Sequence, residues 1–162
     1  MHIQSWKATY RGLVPDKFLD EDVYEDRRQQ WLNKLPFQTD TQCVQLAYDD
    51  TDNQPVGFVV CEYVEAKEKD MVYIDHLHVM PGHWHGRGIG TALLDAACDW
   101  SRAKGFHKVY LYVMEQNTQA VRFYDRKGWF HDQTLITHMA RDLPVDTRRY
   151  TISLDSLHRG TE

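Results

Sequence analysis

Three glycines at alternate positions, Gly86, Gly88 and Gly90, stand between a strand-like run ending at Val79 and a helix-like run in which Leu93, Ala97 and Trp100 share one face. No other feature narrows the fold of this chain as far, because strand, glycine loop and helix in that order make an anion-binding element. Glycine lets the backbone turn its N–H groups inward, and the unpaired donors and the dipole at a helix start attract a group such as pyrophosphate. The spacing also excludes two common nucleotide loops. No Lys-Ser or Lys-Thr follows Gly90, so this is not a P-loop, and G-x-G-x-x-G would need glycine where Thr91 stands.

On either side of the loop the chain reads as alternating short elements. Ile3, Trp6 and Tyr10 fall at helical spacing up to the break at Gly12, so the sequence starts within a helix. Pro15 and Asp16 open a second helix, and Tyr24, Trp31 and Leu35 mark a third beyond the acidic patch Asp20, Glu21 and Asp22. Apolar runs from Thr41 to Tyr48 and from Val56 to Val64 predict an antiparallel hairpin, and a charged turn from Glu65 to Asp70 leads into a strand from Met71 to Val79. A strand from Lys108 to Val113 follows. Asn117 then caps a short helix carrying Ala120, Phe123, Tyr124 and Lys127, which stops at Gly128. A last strand-like run ends near Leu143, and Arg149 to Leu154 alternates like one strand more.

Composition bounds the function classes. The 162 residues, 42% hydrophobic and 27% charged, suffice for one domain with a core. Nineteen Lys and Arg against 24 Asp and Glu give a formal charge of −5, which argues against a nucleic-acid partner and suits a cationic one. No apolar run approaches the roughly 20 residues of a membrane span, and the opening residues lack a signal peptide's apolar stretch, so a cytoplasmic location without membrane association is expected. Cys43, Cys61 and Cys98 have no C-x-x-C spacing and read as buried free thiols.

Two motifs in order give the chain a family resemblance. Val79-Met80-Pro81 followed by His85-Gly86-Arg87-Gly88-Ile89-Gly90 is similar to the V-x-P strand end and the Gln/Arg-x-x-Gly-x-Gly/Ala loop of the GNAT superfamily of acetyl-CoA-dependent N-acetyltransferases. His85 stands in place of the usual Gln or Arg, and one extra residue separates Val79 from the loop. Asn117, Ala120, Phe123, Tyr124, Gly128 and Trp129 match the spacing of that family's second motif, and Ser5 to Pro15 resembles its first helix and following loop.

The resemblance implies an α/β (α+β) fold: a mixed, mostly antiparallel sheet that splays at the cofactor site, with helices on both faces and the usual first strand absent. It implies an N-acetyltransferase domain over residues 1–143 and a C-terminal extension, 144–162, bearing a candidate extra strand that joins its own sheet or, by exchange, that of a second subunit in a homodimer. It further implies acetyl transfer from acetyl-CoA to a primary amine by direct attack. The backbone of Leu77, His78 and Val79 would hold the pantetheine arm and polarise the acetyl carbonyl, while His85, Gly86, Arg87, Gly88, Ile89, Gly90 and Thr91 meet the pyrophosphate and Asn117 and Phe123 complete the cofactor site.

Such a reaction needs a base for an ammonium of pKa near ~10, a stabilised oxyanion and an acid for the departing thiolate. Tyr124 matches the family's general acid. Asp75, two residues from Tyr73 and on its face of the strand, is the candidate base, with His76 and His78 expected on the opposite face. The histidines His76, His78, His83 and His85 lack zinc-type Cys or Glu spacing, so no metal is expected. The acceptor is expected to be a small cationic amine. A protein N-terminus or lysine as acceptor, and a catalytically silent acyl-CoA-binding module, are the alternatives the residues leave open.

Overall fold

The structure, a computed structural model, describes residues 1–35, 39–64 and 68–155. Residues 65–67 of the expected charged turn and 156–162 of the expected extension lie outside the described residues. The elements run α1 (His2–Tyr10), a π-helical turn (Phe18–Asp22), α2 (Val23–Lys34), β1 (Gln42–Tyr48), β2 (Pro55–Glu62), β3 (Met71–Val79), α3 (Ile89–Ala103), β4 (Lys108–Met114), α4 (Thr118–Arg126), β5 (Phe130–Met139) and β6 (Leu143–Ser153). Six strands form one sheet in the order β1-β2-β3-β4-β6-β5, antiparallel everywhere except between β3 and β4.

Two cores lie on the two faces of this sheet. On one, α3 and α4 set Leu93, Leu94, Ala97, Val121 and Tyr124 against Val59, Val72, Ile74, Val109, Leu111 and Tyr150. On the other, α1, the π turn and α2 set Trp6, Phe18, Leu19 and Val23 against Met114 and Val145. The second and third predicted helices are one continuous helical run from residue 16 onward. Its wide π turn brings Phe18 and Val23, five residues apart, onto the same buried side. The acidic patch is thereby left outside, where Arg11 pairs with Asp16 and Asp20 and Arg141 with Asp22.

The C-terminal segment forms the expected strand within its own sheet, but at an inner place and not at the open edge beside β1. The predicted final strand stops at Met139, Ala140, Arg141 and Asp142 take positive φ in a tight turn, and the chain returns as β6 between β4 and β5. A boundary at 143 therefore falls at the first residue of an inner strand, and the segment to Ser153 is part of the main sheet rather than an addition to an edge. Tyr150, fully buried on β6, donates from its hydroxyl to Asp125 Oδ1 on α4 at 2.7 Å and so ties the strand to the helix.

Helix α3 lies close against the sheet at Gly57 of β2. A Cβ there would meet Leu93 Cδ1 at 2.9 Å, the His78 carbonyl at 3.0 Å and Ile89 Cγ2 at 3.1 Å. This absence of a side chain lets the start of α3 sit beside the end of β3. Gly57→Ala is expected to destabilise the protein by ~1–3 kcal/mol through overpacking, read as a lower midpoint in urea, and to weaken any ligand held between α3 and β3.

Candidate active site

The site is made where β3 leaves β4. The two strands pair in parallel from Met71 with Lys108 to Ile74 with Leu111, and their pairing ends there. On its other side β3 carries a β-bulge: Val60 pairs with His76 and Cys61 with Ile74, which leaves Asp75 as the extra residue. The bulge changes which side chains share a face. Val72 and Ile74, then Leu77 and Val79, pack toward α3, while His76 and His78 lie on the α1 and α2 side, in ring contact with His2. The expected separation of His76 and His78 from Asp75 is thus corrected. Strict alternation along the strand predicts opposite faces, and one inserted residue abolishes it.

A cavity of about 680 Å³ occupies the divergence and opens to both helical layers. Asp75, Leu77, His78, Val79, His85, Gly86, Gly88, Ile89, Gly90, Thr91, Asn117, Phe123 and Tyr124 all line it, so residues from three separate stretches of the sequence meet in one space. Arg87 is exposed and lies with its guanidinium 5.0 Å from the centre of the Trp84 ring. At the loop, Gly86 and Gly88 have φ of 78° and 81°, and Gly88 is the N-cap of α3. The first N–H groups of α3 have no partner within the helix and point into the loop, as an anion site requires. His85 bridges the loop to its surroundings: Nε2 donates to the Val79 carbonyl and Nδ1 accepts from Gln119, each at 3.4 Å.

Tyr124 is held on α4, whose N-cap Asn117 accepts from the Ala120 N–H at 3.3 Å. Its ring meets Phe123 edge-on and Trp129 and Tyr150 at a tilt, and burial pushes the phenol above its ordinary value, so it stays a proton donor at neutral pH. Asp75 is in a charged trio with Lys34 of α2 and Glu62 of β2, the Lys34 ammonium lying 3.0 Å from Glu62 Oε2 and against Asp75 Oδ2. Burial alone would lower the Lys34 ammonium; the hydrogen-bonded carboxylate of Asp75, and then Glu62, reverse this and hold it above its usual value.

Sequence reasoning missed the α1 wall of the cavity, made by Ser5, Trp6, Thr9 and Tyr10, together with Tyr112 of β4. The signal was present in the Ser5 to Pro15 stretch, but resemblance there spoke to the helix and not to the direction of its side chains. Next to this wall three histidines crowd together. Ring centroids of His2 lie 4.8 Å from His76 and 4.6 Å from His78, and Ser5 Oγ shares a hydrogen bond of 2.8 Å with His78 Nδ1. Burial lowers all three imidazoles, His78 to about 3.

Comparison with known proteins follows the same outline. The sequence profile described as the Acetyltransferase (GNAT) family matches residues 4–129. An uncharacterized N-acetyltransferase of Methanocaldococcus jannaschii is 35% identical over 82 residues, 49% of this chain, and the match spans only 36% of that relative's length. A spermidine N(1)-acetyltransferase of Thermoplasma acidophilum is 24% identical over 132 residues, 81% of this chain and 79% of its own. The crystal structure of the PaiA N-acetyltransferase of Thermoplasma acidophilum in complex with coenzyme A superposes with a TM-score of 0.72 at 21% identity, over 91% of this chain and 86% of that one. Among the described residues no helix is long and apolar enough to cross a membrane.

The buried neutral histidines give the protein a pH signature. Each has a folded pKa below its unfolded value near 6.5, so the unfolded chain binds more protons as the pH falls. The stability they contribute is complete above about pH 7 and is lost as the pH falls below about 6.5, for His78 down to about 3, at up to about 1.4 kcal/mol per histidine for each pH unit. Urea unfolding between pH 7 and pH 5 is expected to show this slope, and His78→Gln is expected to reduce it by one histidine's share.

Proposed function

The chain belongs to the Acetyltransferase (GNAT) family, and from that premise we propose that it transfers acetyl from acetyl-CoA to the amine of a small cationic acceptor. The observation that carries this reading is the cavity in which the glycine loop, the end of β3 that β4 no longer pairs, and Tyr124 come together. Pyrophosphate would sit on the first N–H groups of α3, and the pantetheine arm would run along Leu77, His78 and Val79, whose backbone β4 does not engage. One backbone N–H of that stretch would polarise the thioester carbonyl, the role of an oxyanion donor.

In this reading the acceptor enters from the α1 side, between Trp6, Tyr10 and Asp75. The ammonium first gives one proton to Asp75 directly or through water; its nitrogen then forms a bond to the thioester carbon, the C–S bond breaks, the coenzyme A thiolate takes the proton of the Tyr124 hydroxyl, and the second proton shed by the nitrogen restores the phenol through solvent. An ordinary phenol is near a thiolate in basicity, and burial makes Tyr124 a weaker acid than that, so in this reading it holds its proton until the thiolate forms. The aromatic wall of Trp6, Tyr10 and Tyr112 with the Asp75 carboxylate beside it supports a cationic amine, as does the likeness to a spermidine acetyltransferase, whose own substrate is an amine of this class. His76 offers a second reading of the base, since its imidazole lines the same cavity 3.4 Å from Asp75 Oδ2 while Lys34 already engages that carboxylate.

Acetyl-CoA consumption measured over amines, polyamines, amino acids and peptides tests the reading, and polyamines or comparable cationic amines are expected to be turned over in preference to peptides. Tyr124→Phe is expected to lower kcat by about 10²-fold or more, with the acetyl-CoA KM changed less than about threefold. Asp75→Asn is expected to remove the limb along which kcat/KM rises with pH. A retained limb in that variant, together with its loss in His76→Gln, assigns the base to His76.

The loop is tested separately. Gly88→Asp sets a carboxylate and a strained φ at the mouth of the anion site, and is expected to weaken acetyl-CoA binding by calorimetry at least about tenfold. Unchanged affinity rules out the pyrophosphate at this helix start.

A further inference from the structure

We propose that His2, His76 and His78 form a binding site for a divalent transition-metal cation of the zinc type, set between α1 and the bulge of β3. One ring nitrogen from each lies within 4.8 Å of the others. Ligands at ~2.0–2.1 Å on a tetrahedral centre stand roughly 3.3 Å apart, so the trio closes on a cation with movements of less than about 1 Å per ring. Imidazole nitrogens suit zinc, copper and nickel, and the absence of thiolates disfavours an iron–sulfur centre.

Two further observations point the same way. His2 Nε2 is buried with no hydrogen-bond partner among the described residues, and His76 Nε2, equally buried, makes no hydrogen bond and has only the contact with Asp75 Oδ2 at 3.4 Å; the two residues are 8% and 9% exposed. Buried polar atoms of this kind are uncommon, and a ligand that they bind accounts for them. His78 also has an outer partner: with its Nδ1–H donating to Ser5 Oγ, its Nε2 lone pair is left for a metal. Burial keeps the three rings uncharged, so their lone pairs are not taken by protons. His76 brings the Asp75 carboxylate beside the trio, a negative charge that a dication gains from.

One contact opposes the cation. The Trp31 indole N–H donates to His2 Nδ1 at 3.0 Å and so favours the tautomer that carries its proton on Nε2. Metal binding through Nε2 moves that proton to Nδ1 and breaks the indole bond, a loss of about fivefold in affinity (about 1 kcal/mol). The indole thereby becomes a reporter of occupancy. Nothing in the spacing of His76 and His78 announces this site, because the third ligand comes from a helix at the other end of the domain's first half.

The test is zinc binding to the full chain, tag-free and freed of metal by chelator, with no substrate present, followed by competition against a chromophoric chelator and by tryptophan fluorescence. One zinc ion per chain with a dissociation constant below about 1 μM is expected. His2→Gln and His78→Gln are each expected to weaken it about 100-fold or more, while His138→Gln, on exposed β5, leaves it unchanged. Trp31→Phe keeps all three imidazoles and is expected to tighten binding about fivefold. Binding weaker than about 10 μM, or tight binding undiminished in both glutamine variants, overturns the proposal. Should those variants fail to fold, an unchanged or weakened affinity in Trp31→Phe overturns it. Because no acetyl donor or amine enters the measurement, its failure leaves the proposed acetyl transfer untouched.

Discussion

A backbone hydrogen bond that is not made organises this molecule. Strands β3 and β4 share only the pairs from Met71 with Lys108 to Ile74 with Leu111, and beyond them β3 continues for five residues without β4 as a neighbour. Buried N–H and C=O groups do not stay unpaired at small cost, so a strand that parts from its neighbour inside a sheet must be completed by water or by a ligand with amide-like groups of its own. Both helical layers are arranged around that gap. Gly57 brings the start of α3 to the end of β3, Asn117 fixes the start of α4 after the far end of β4, and α1 closes the opposite side.

The inner place of β6 follows from the same gap. β4 lacks β3 as a neighbour past Leu111, yet it remains a straight seven-residue strand because Tyr112, Val113 and Met114 pair with Arg149, Arg148 and Thr147. Arg148 then reaches Glu115 at 2.7 Å, and Tyr150 reaches Asp125, so the C-terminal strand braces both ends of the segment that carries α4. Removal of this strand would leave the divergence without its second wall. The position of Tyr124 therefore depends on Arg148 and Tyr150, far after it in the chain.

Local signals in the sequence carried over well, and non-local ones did not. The glycine loop, the Asn117 cap and strand β3 were legible because each rests on the chemistry of a few adjacent residues: positive φ, a side-chain acceptor, β-branched alternation. The bulge at Asp75 was not legible. Its cause lies in the register against β2, where Val60 meets His76 and Cys61 meets Ile74, and no residue type in Tyr73-Ile74-Asp75-His76 marks an insertion. The merging of two predicted helices around Phe18–Asp22 was hidden for a related reason, since a π turn shifts the apolar period from 3.6 toward five and reads in sequence as an interruption. Likewise the β5–β6 turn, with Ala140, Arg141 and Asp142 all at positive φ, contains no glycine to announce it.

The bulge also explains how two kinds of titratable group coexist in one wall. Without the extra residue, His76 would project toward α3 with Ile74, into an aliphatic core that offers an imidazole no partner. With it, Asp75, His76 and His78 all face α1 and α2, where Lys34 answers the carboxylates of both Asp75 and Glu62, and Trp31, Phe58 and His2 enclose the rings. In the charged trio the two carboxylates hold the Lys34 ammonium charged, whereas the enclosed histidines stay neutral because burial penalises their charged form, with the nearby Arg27 adding to the effect. One inserted residue thus brings His76 and His78 beside the trio of Asp75, Lys34 and Glu62, so that uncharged imidazoles and a charged network share the mouth of the gap.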